Sequence, residues 1–163
     1  MMIYLLPELA ALCLVMFGLC WLGTGSDEKN AKHISSYPDE VQHIVERDPR
    51  LSAMAKRSSV GVTYLANLLT FGVVLFALVF PMRSDSFGRN FLMLSVLGQG
   101  LNLFDLTVID LAWWRNTKRV RFTGTENKAK LYQYPKKHVD AFFRGVSCFA
   151  LVAILDGWLL TLI

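Results

Sequence analysis

Residues 89–114, with the sequence RNFLMLSVLGQGLNLFDLTVIDLAWW, decide the fold of this chain. The run is apolar overall, yet it carries the amides Gln99 and Asn102 and the acids Asp105 and Asp110 well inside it. About 20 apolar residues in a helix cross a hydrocarbon core that is about 30 Å thick. Polar and charged side chains are costly in that core and usually have a function there. We therefore expect this segment to be a membrane helix that carries the functional site.

Three further apolar segments of similar length accompany it in the 163-residue chain. Apolar residues make up 53% of the sequence and charged residues 18%, and the two classes are segregated along the chain. Runs of this length are helices, because strands of a membrane barrel need only about ten residues. The sequence predicts an all-α polytopic membrane protein, with one four-helix transmembrane domain over residues 1–163. The predicted transmembrane helices cover about residues 3–23, 59–82, 90–114 and 141–163.

The distribution of Lys and Arg predicts how these helices are oriented. Residues 24–58 contain six Lys and Arg and residues 115–140 contain eight, whereas residues 83–89 contain two. Because basic loops stay in the cytoplasm, the two longer loops are predicted to be cytoplasmic and both termini to face outward. The first segment lacks two features of a signal peptide, namely a basic region before it and a small-residue cleavage pattern after it. We therefore expect this segment to remain as a membrane anchor. The expected location is the plasma (inner) membrane.

The two cytoplasmic loops differ in character. In the first, Pro38 and the acids after it, followed by Val41 and Val45 at helical spacing, predict a short amphipathic helix over about residues 38–47. This helix is expected to lie on the membrane surface or to dock on the bundle. The second loop is strongly basic, which suits it either to hold anionic headgroups or simply to fix the topology. The bases predicted to contact an anionic headgroup are Arg115, Lys118, Arg119 and Arg121.

Several chemistries find no support in the sequence. All three histidines, His138 among them, lie in the predicted loops, so a pair of membrane histidines for haem is not expected. The three cysteines form neither a C-x-x-C motif nor a zinc-binding spacing, and no G-x-S-x-G motif occurs. The net charge of +4 follows from loops that topology requires to be basic, so nucleic acid is not an expected partner. The sequence identifies no cofactor.

The polar residues of the four segments are predicted to lie inside the bundle. Gln99, Asn102, Asp105 and Asp110 fall within a band of about 140° on an α-helix. Asp105 and Asp110 stand at its two edges, so they cannot chelate one ion from a straight helix, and no metal site is expected. Depth along the helices then sorts the candidate residues for binding protons, cations or polar ligands into two layers. The outer layer holds Glu8, Gln99 and Asp156, the inner layer holds Asn67, Asp105 and Asp110, and Asn102 lies between them.

The buried acids suggest what the protein does. Carboxylates without a basic partner in a low dielectric either become protonated or hold a cation. This favours a small protein of transport or channel type, or a subunit of one, that handles protons or cations. Two alternatives stay open: a membrane-embedded enzyme acting on an anionic lipid, with Asp105 or Asp110 as base or metal ligand, and a non-catalytic assembly subunit. The expected partners are the bilayer, an anionic lipid, and further copies of the chain or a larger membrane complex.

Overall fold

The computed structural model describes residues 2–163, and for residues 2–4 the backbone alone. Within those residues the regular secondary structure is entirely helical, which confirms the all-α prediction. The α-helices are α1 (Met2–Leu22), α2 (Asp27–Ala31), α3 (Asp39–Arg47), α4 (Pro49–Met54), α5 (Val60–Val79), α6 (Phe87–Phe104) and α7 (Lys136–Leu159). Short 3-10 helices occur at Ile34–Ser36, Phe80–Met82 and Ala129–Tyr132, and a π-helical segment, Asp105–Trp114, follows α6 directly in the chain.

Four helical stretches are long and apolar enough to cross a membrane, in agreement with the predicted segments. Many apolar side chains on these stretches are exposed, for example Leu65, Leu69 and Val73 on α5. An exposed apolar surface of this extent is typical of a protein that lipid surrounds. The four stretches are Leu5–Leu22, Val60–Met82, Phe87–Trp114 and Ala129–Leu159.

The chain divides into two compact units. The first unit comprises the residues up to Leu14 together with Ser59–Phe104 and Phe142–Ile163. The second unit comprises Val15–Ser58 and Asp105–Ala141, and so contains both of the longer predicted loops. The prediction of a single domain is not tested by this division and stays a prediction.

In the first unit, α6 and α7 pack closely because glycines leave room at their contact. A Cβ atom at Gly98 would lie 2.7 Å from the ring of Phe149, and a Cβ atom at Gly145 would overlap the amide of Asn102. Small residues allow this close approach between membrane helices. The buried apolar side chains of the unit include Leu75, Val79, Met93, Leu94, Leu97, Leu101, Val152 and Ala153.

The second unit has a hydrophobic core that joins both predicted loops. Tyr37 is central to it, with its ring centroid 4.8 Å from that of Trp114 and 5.2 Å from that of Phe122. The Tyr37 hydroxyl donates a 2.8 Å hydrogen bond to the carbonyl of Val120, which satisfies both buried groups. The full core comprises Ala31, Ile34, Tyr37, Val41, Val45, Leu51, Trp114, Val120, Phe122 and Tyr132.

Helix α3 is the amphipathic helix that the sequence predicts over residues 38–47. Pro38 precedes it, and Asp39 and Glu40 in its first turn interact favourably with the helix dipole. Val41 and Val45 are fully buried in the core of the second unit. The apolar face of α3 therefore packs on protein side chains from the two loops, which leaves this face unavailable to lie on a membrane surface.

Candidate functional site

The π-helical segment Asp105–Trp114 is the most unusual piece of backbone in the described chain. π-Helices are rare, usually form a single turn and often occur at functional sites. Their i→i+5 hydrogen bonds bring residues that are five apart to successive turns of the same face. Asp105 and Asp110 therefore share a face, and the 140° divergence expected of a straight α-helix does not apply to this segment.

Asp110 is paired with His138, which the sequence places in a loop. His138 lies instead in the first turn of α7, and its side chain is 5% exposed, against 15% for that of Asp110. Its Nδ1 is 2.9 Å from Oδ1 of Asp110. Because a carboxylate can only accept, Nδ1 must carry the proton and donate it. The Trp114 ring packs edge-to-face with the imidazole at 4.8 Å between centroids and helps to cover the pair.

The second ring nitrogen of His138, Nε2, is buried and has no hydrogen-bond partner among the described residues. Buried polar atoms are nearly always paired, so an unpaired one needs a specific explanation. While Nδ1 donates to Asp110, Nε2 of the neutral imidazole keeps a free lone pair. Nε2 can therefore accept a proton, and the Asp110 carboxylate stabilises the imidazolium that forms.

Two more titratable groups of the second unit lie near this pair. Asp105 is close enough to interact electrostatically with both Asp110 and His138. The thiol of Cys20, near the end of α1, interacts with both aspartates in the same way. No group of three or more His, Cys, Asp or Glu side chains in the described part of the chain is arranged to hold a metal ion. The chemistry that Asp105, Asp110 and His138 support directly is proton uptake and release, and we call these three residues the acid–histidine cluster.

Arg119, one of the four predicted headgroup contacts, is engaged within the protein. Its Nε and Nη2 atoms donate to the carbonyl of Trp21 at 3.1 and 2.9 Å. Its guanidinium carbon also lies 4.3 Å above the centre of the Trp21 ring, in a cation–π contact. Trp21 belongs to the last turn of α1, whose carbonyls have no partner inside the helix, so Arg119 caps that end.

The other three predicted headgroup contacts differ among themselves. The Arg121 guanidinium packs over the ring of Tyr132 at 5.9 Å. Arg115 and Arg121 each have a buried Nε atom for which the described residues supply no partner, whereas Lys118 is exposed. Buried guanidinium N–H groups without partners are unusual. The Arg121 guanidinium also donates from Nη1 to the carbonyl of Glu126.

Gln99 and Asn102, predicted site residues of the first unit, bind the backbone of α7. The Gln99 amide donates to the carbonyl of Val146 at 3.0 Å, and the Asn102 amide donates to that of Phe142 at 3.2 Å. Hydrogen bonds of this kind hold membrane helices together and contribute about 0.6–2 kcal/mol each. Both residues therefore have a structural contact that links α6 to α7.

The remaining predicted site residues of the first unit have three different environments. Asp156 on α7 is 8% exposed, and its Oδ2 atom is buried without a partner among the described residues. Glu8 on α1 is half-buried, and its Oε2 atom is also unpaired within the described chain. Asn67 on α5 is exposed, so its amide points away from the interior of the unit.

Comparison of the chain with protein-family models, with curated proteins and with solved structures gave no match in any of the three. The class of protein must therefore be defined by the fold and the site. The chain is all-helical in its described part, has four helices able to span a membrane, and contains an acid–histidine cluster of one buried histidine and two partly buried acids. These features characterise it as a membrane protein.

Proposed function

We propose that this is a small integral membrane protein of transport type that takes up and releases protons at the acid–histidine cluster. The observation that carries the proposal is the hydrogen-bonded pair of Asp110 and His138, in which Nε2 of the imidazole is buried and has no partner among the described residues. Both residues belong to helical stretches that are long and apolar enough to cross a membrane. In the proposed orientation the two longer loops are cytoplasmic and both termini face outward.

The Asp110–His138 pair is suited to a cycle of proton uptake and release. Histidine is the side chain whose charge changes most readily near neutral pH. When Nε2 binds a proton, the imidazolium is paired with the Asp110 carboxylate, which costs less in a low dielectric than an isolated charge. When the proton leaves, the hydrogen bond from Nδ1 still supports the carboxylate. Asp105 interacts electrostatically with both groups, and we propose it as the acceptor for the departing proton.

The core of the second unit holds the Asp110–His138 pair in position. Trp114 contacts both His138 and the ring of Tyr37, so the imidazole is connected to the aromatic core. The turn that bears His138 is also held by Lys137, whose Nζ lies 2.7 Å from Oδ1 of Asp39 on α3. These contacts fix the imidazole before a proton arrives, as a relay group requires.

One observation favours a second candidate function, an enzyme that acts on an anionic lipid. The Nε atoms of Arg115 and Arg121 are buried and unpaired within the described residues, and guanidinium groups bind phosphate well. In an enzyme, the same Nε2 of His138 would act as the general base. The two functions differ in what they need, since an enzyme requires a lipid substrate and a proton carrier does not.

The proposed function is tested by reconstituting the purified protein in liposomes that contain a trapped pH-sensitive dye. After an imposed pH gradient and a potassium diffusion potential, we expect the lumen to acidify faster than in protein-free liposomes. Asp105→Asn should slow this acidification, whereas Asp140→Asn, which removes an exposed carboxylate from the first turns of α7, should not. Acidification no faster than in protein-free liposomes, together with chemical turnover of an anionic lipid, would support the enzyme instead.

A further inference from the structure

A second buried acid lies in the first unit, on α7. Asp156 is 8% exposed, and its Oδ2 atom has no hydrogen-bond partner within the described part of the chain. An ionised carboxylate left without a partner in such a place is strongly unfavourable. The usual solution is to pair the group or to neutralise it, and the neighbours of Asp156 decide between the two.

The neighbour that Oδ2 faces on α5 is a glycine. A Cβ atom built at Gly72 would lie 3.9 Å from Oδ2 of Asp156. Apart from the neighbouring residues and the backbone of its own helix, no other atom would lie within 4 Å of this Cβ. The glycine therefore offers Oδ2 no polar side chain, and Oδ2 itself is buried from water.

The other surroundings of Asp156 are apolar or already engaged. On α6, the backbone of Phe91 and the ring of Phe87 contact Gly157, the next residue of α7. Two arginines border these elements, but Arg83 donates to the carbonyls of Phe80 and Ile163, and Arg89 has an interaction of its own. On α5, the titratable Tyr64 bonds to Ser147 of α7. No ion pair to Asp156 occurs within residues 5–163.

We propose that Asp156 is a second proton-binding carboxyl, separate from the acid–histidine cluster. The proton neutralises a carboxyl that its neighbours do not pair and whose Oδ2 atom water does not reach. Any role of Asp156 in transport rests on the proposed function. Proton binding by Asp156, in contrast, is inferred from the geometry of the first unit alone.

Labelling with dicyclohexylcarbodiimide tests this proposal on the whole protein in detergent. This apolar reagent adds to a protonated carboxyl in an apolar environment, and the adduct is located by mass spectrometry of peptides. We expect the peptide that contains Asp156 to be labelled at neutral pH and the labelling to fall as the pH rises. Asp156→Asn should abolish this label, and Asp110→Asn and His138→Asn should preserve it. Glu8→Gln, which removes the other partly buried acid of the unit, should also preserve it.

A second variant changes the neighbour of Oδ2 without removing the acid. Gly72→Ala places a methyl group at an ordinary contact distance from Oδ2, so it fits without a clash. Because a methyl group cannot pair with a carboxyl, we expect the label on Asp156 to persist and the unfolding temperature to stay nearly unchanged. A folded wild-type protein with no label on Asp156 would overturn the proposal. Loss of proton flux in the acid–histidine variants is measured separately, so failure of one proposal is distinguishable from failure of the other.

Discussion

His138 donates from Nδ1 to Oδ1 of Asp110 over 2.9 Å, across the junction between the start of α7 and the π-helical segment. The two residues are far apart in sequence but belong to the same compact unit. A carboxylate that orients an imidazole through one nitrogen leaves the other nitrogen ready for a proton. The proposed proton uptake at His138 depends on this hydrogen bond.

The proposed orientation gives a first prediction. A reporter that is active only outside the cytoplasm should be active when fused after Ile163. The same reporter should be inactive when inserted near Asn127, which lies in the strongly basic loop that positive charge keeps in the cytoplasm. A cysteine-accessibility assay on intact cells gives an independent reading. The opposite pair of results would reverse the orientation.

The engagement of Arg119 by Trp21 predicts that this base is structural. Arg119→Lys loses the two parallel donors to the Trp21 carbonyl and most of the stacking on its ring. We expect the free energy of unfolding to fall by about 1–3 kcal/mol, because a lysine cannot reproduce that fork. Thermal unfolding in detergent, followed by tryptophan fluorescence, measures the effect.

The control for this prediction is Lys118→Arg, which changes the base next to Arg119 at an exposed position. We expect a change within about 0.5 kcal/mol there. If Arg119→Lys changes the free energy of unfolding as little as Lys118→Arg does but weakens binding to anionic vesicles, then Arg119 is a headgroup contact. The capping role would then be wrong.

The close contact of α6 and α7 predicts that Gly145 is intolerant of a side chain. In Gly145→Ala the new methyl group would overlap the Asn102 amide that binds the Phe142 carbonyl. Overpacking of this kind typically lowers the stability by about 1–3 kcal/mol. Gly61→Ala is the matched control, because a Cβ atom at Gly61 would meet no atom within 4 Å. Equal unfolding temperatures for the two variants would contradict the packing of α6 on α7.

The ion pair of Asp39 with Lys137 predicts a dependence of stability on pH. The hydrogen bond from Lys137 holds the pKa of Asp39 below its ordinary value of 3.8. A carboxyl with a lowered pKa in the folded state contributes stability above its unfolded pKa, and this contribution is lost as the pH falls through the folded pKa. We therefore expect a loss of stability of the second unit below pH 3.8 that is smaller in Asp39→Asn. Glu40→Gln, at the neighbouring exposed acid, should retain the wild-type dependence.

The four apolar helices could be predicted because length and composition are sufficient to identify them. The segments predicted at 59–82 and 90–114 correspond to Val60–Met82 and Phe87–Trp114. The last transmembrane segment was predicted from about residue 141, where the apolar run begins, and α7 itself begins earlier, at Lys136. Its first turn is polar, so hydropathy excludes it, although Pro135 is a helix-start signal that would have placed His138 in the helix.

The site could be predicted only in part, for two physical reasons. Asp105 and Asp110 stand out as acids in an apolar run, but the π-helical hydrogen bonds that align them have no signature in hydropathy. The core of the second unit is built from residues such as Tyr37, Val120 and Phe122, which are far apart in the chain and interspersed with basic residues. Sequence periodicity detects the face of one helix, and it cannot detect two loops that fold on each other.

The most direct test of proton uptake at His138 is the initial rate of proton influx into proteoliposomes that contain the His138→Asn variant. Asparagine can still donate to Asp110 from nearly the position of Nδ1, but it has no titratable nitrogen in place of Nε2. Because a positioned group of this kind accelerates proton transfer by factors of about 10²–10⁴, we expect the rate to fall by about a hundredfold with folding intact. A folded His138→Asn variant with the wild-type rate of proton influx would contradict proton binding at Nε2 of His138.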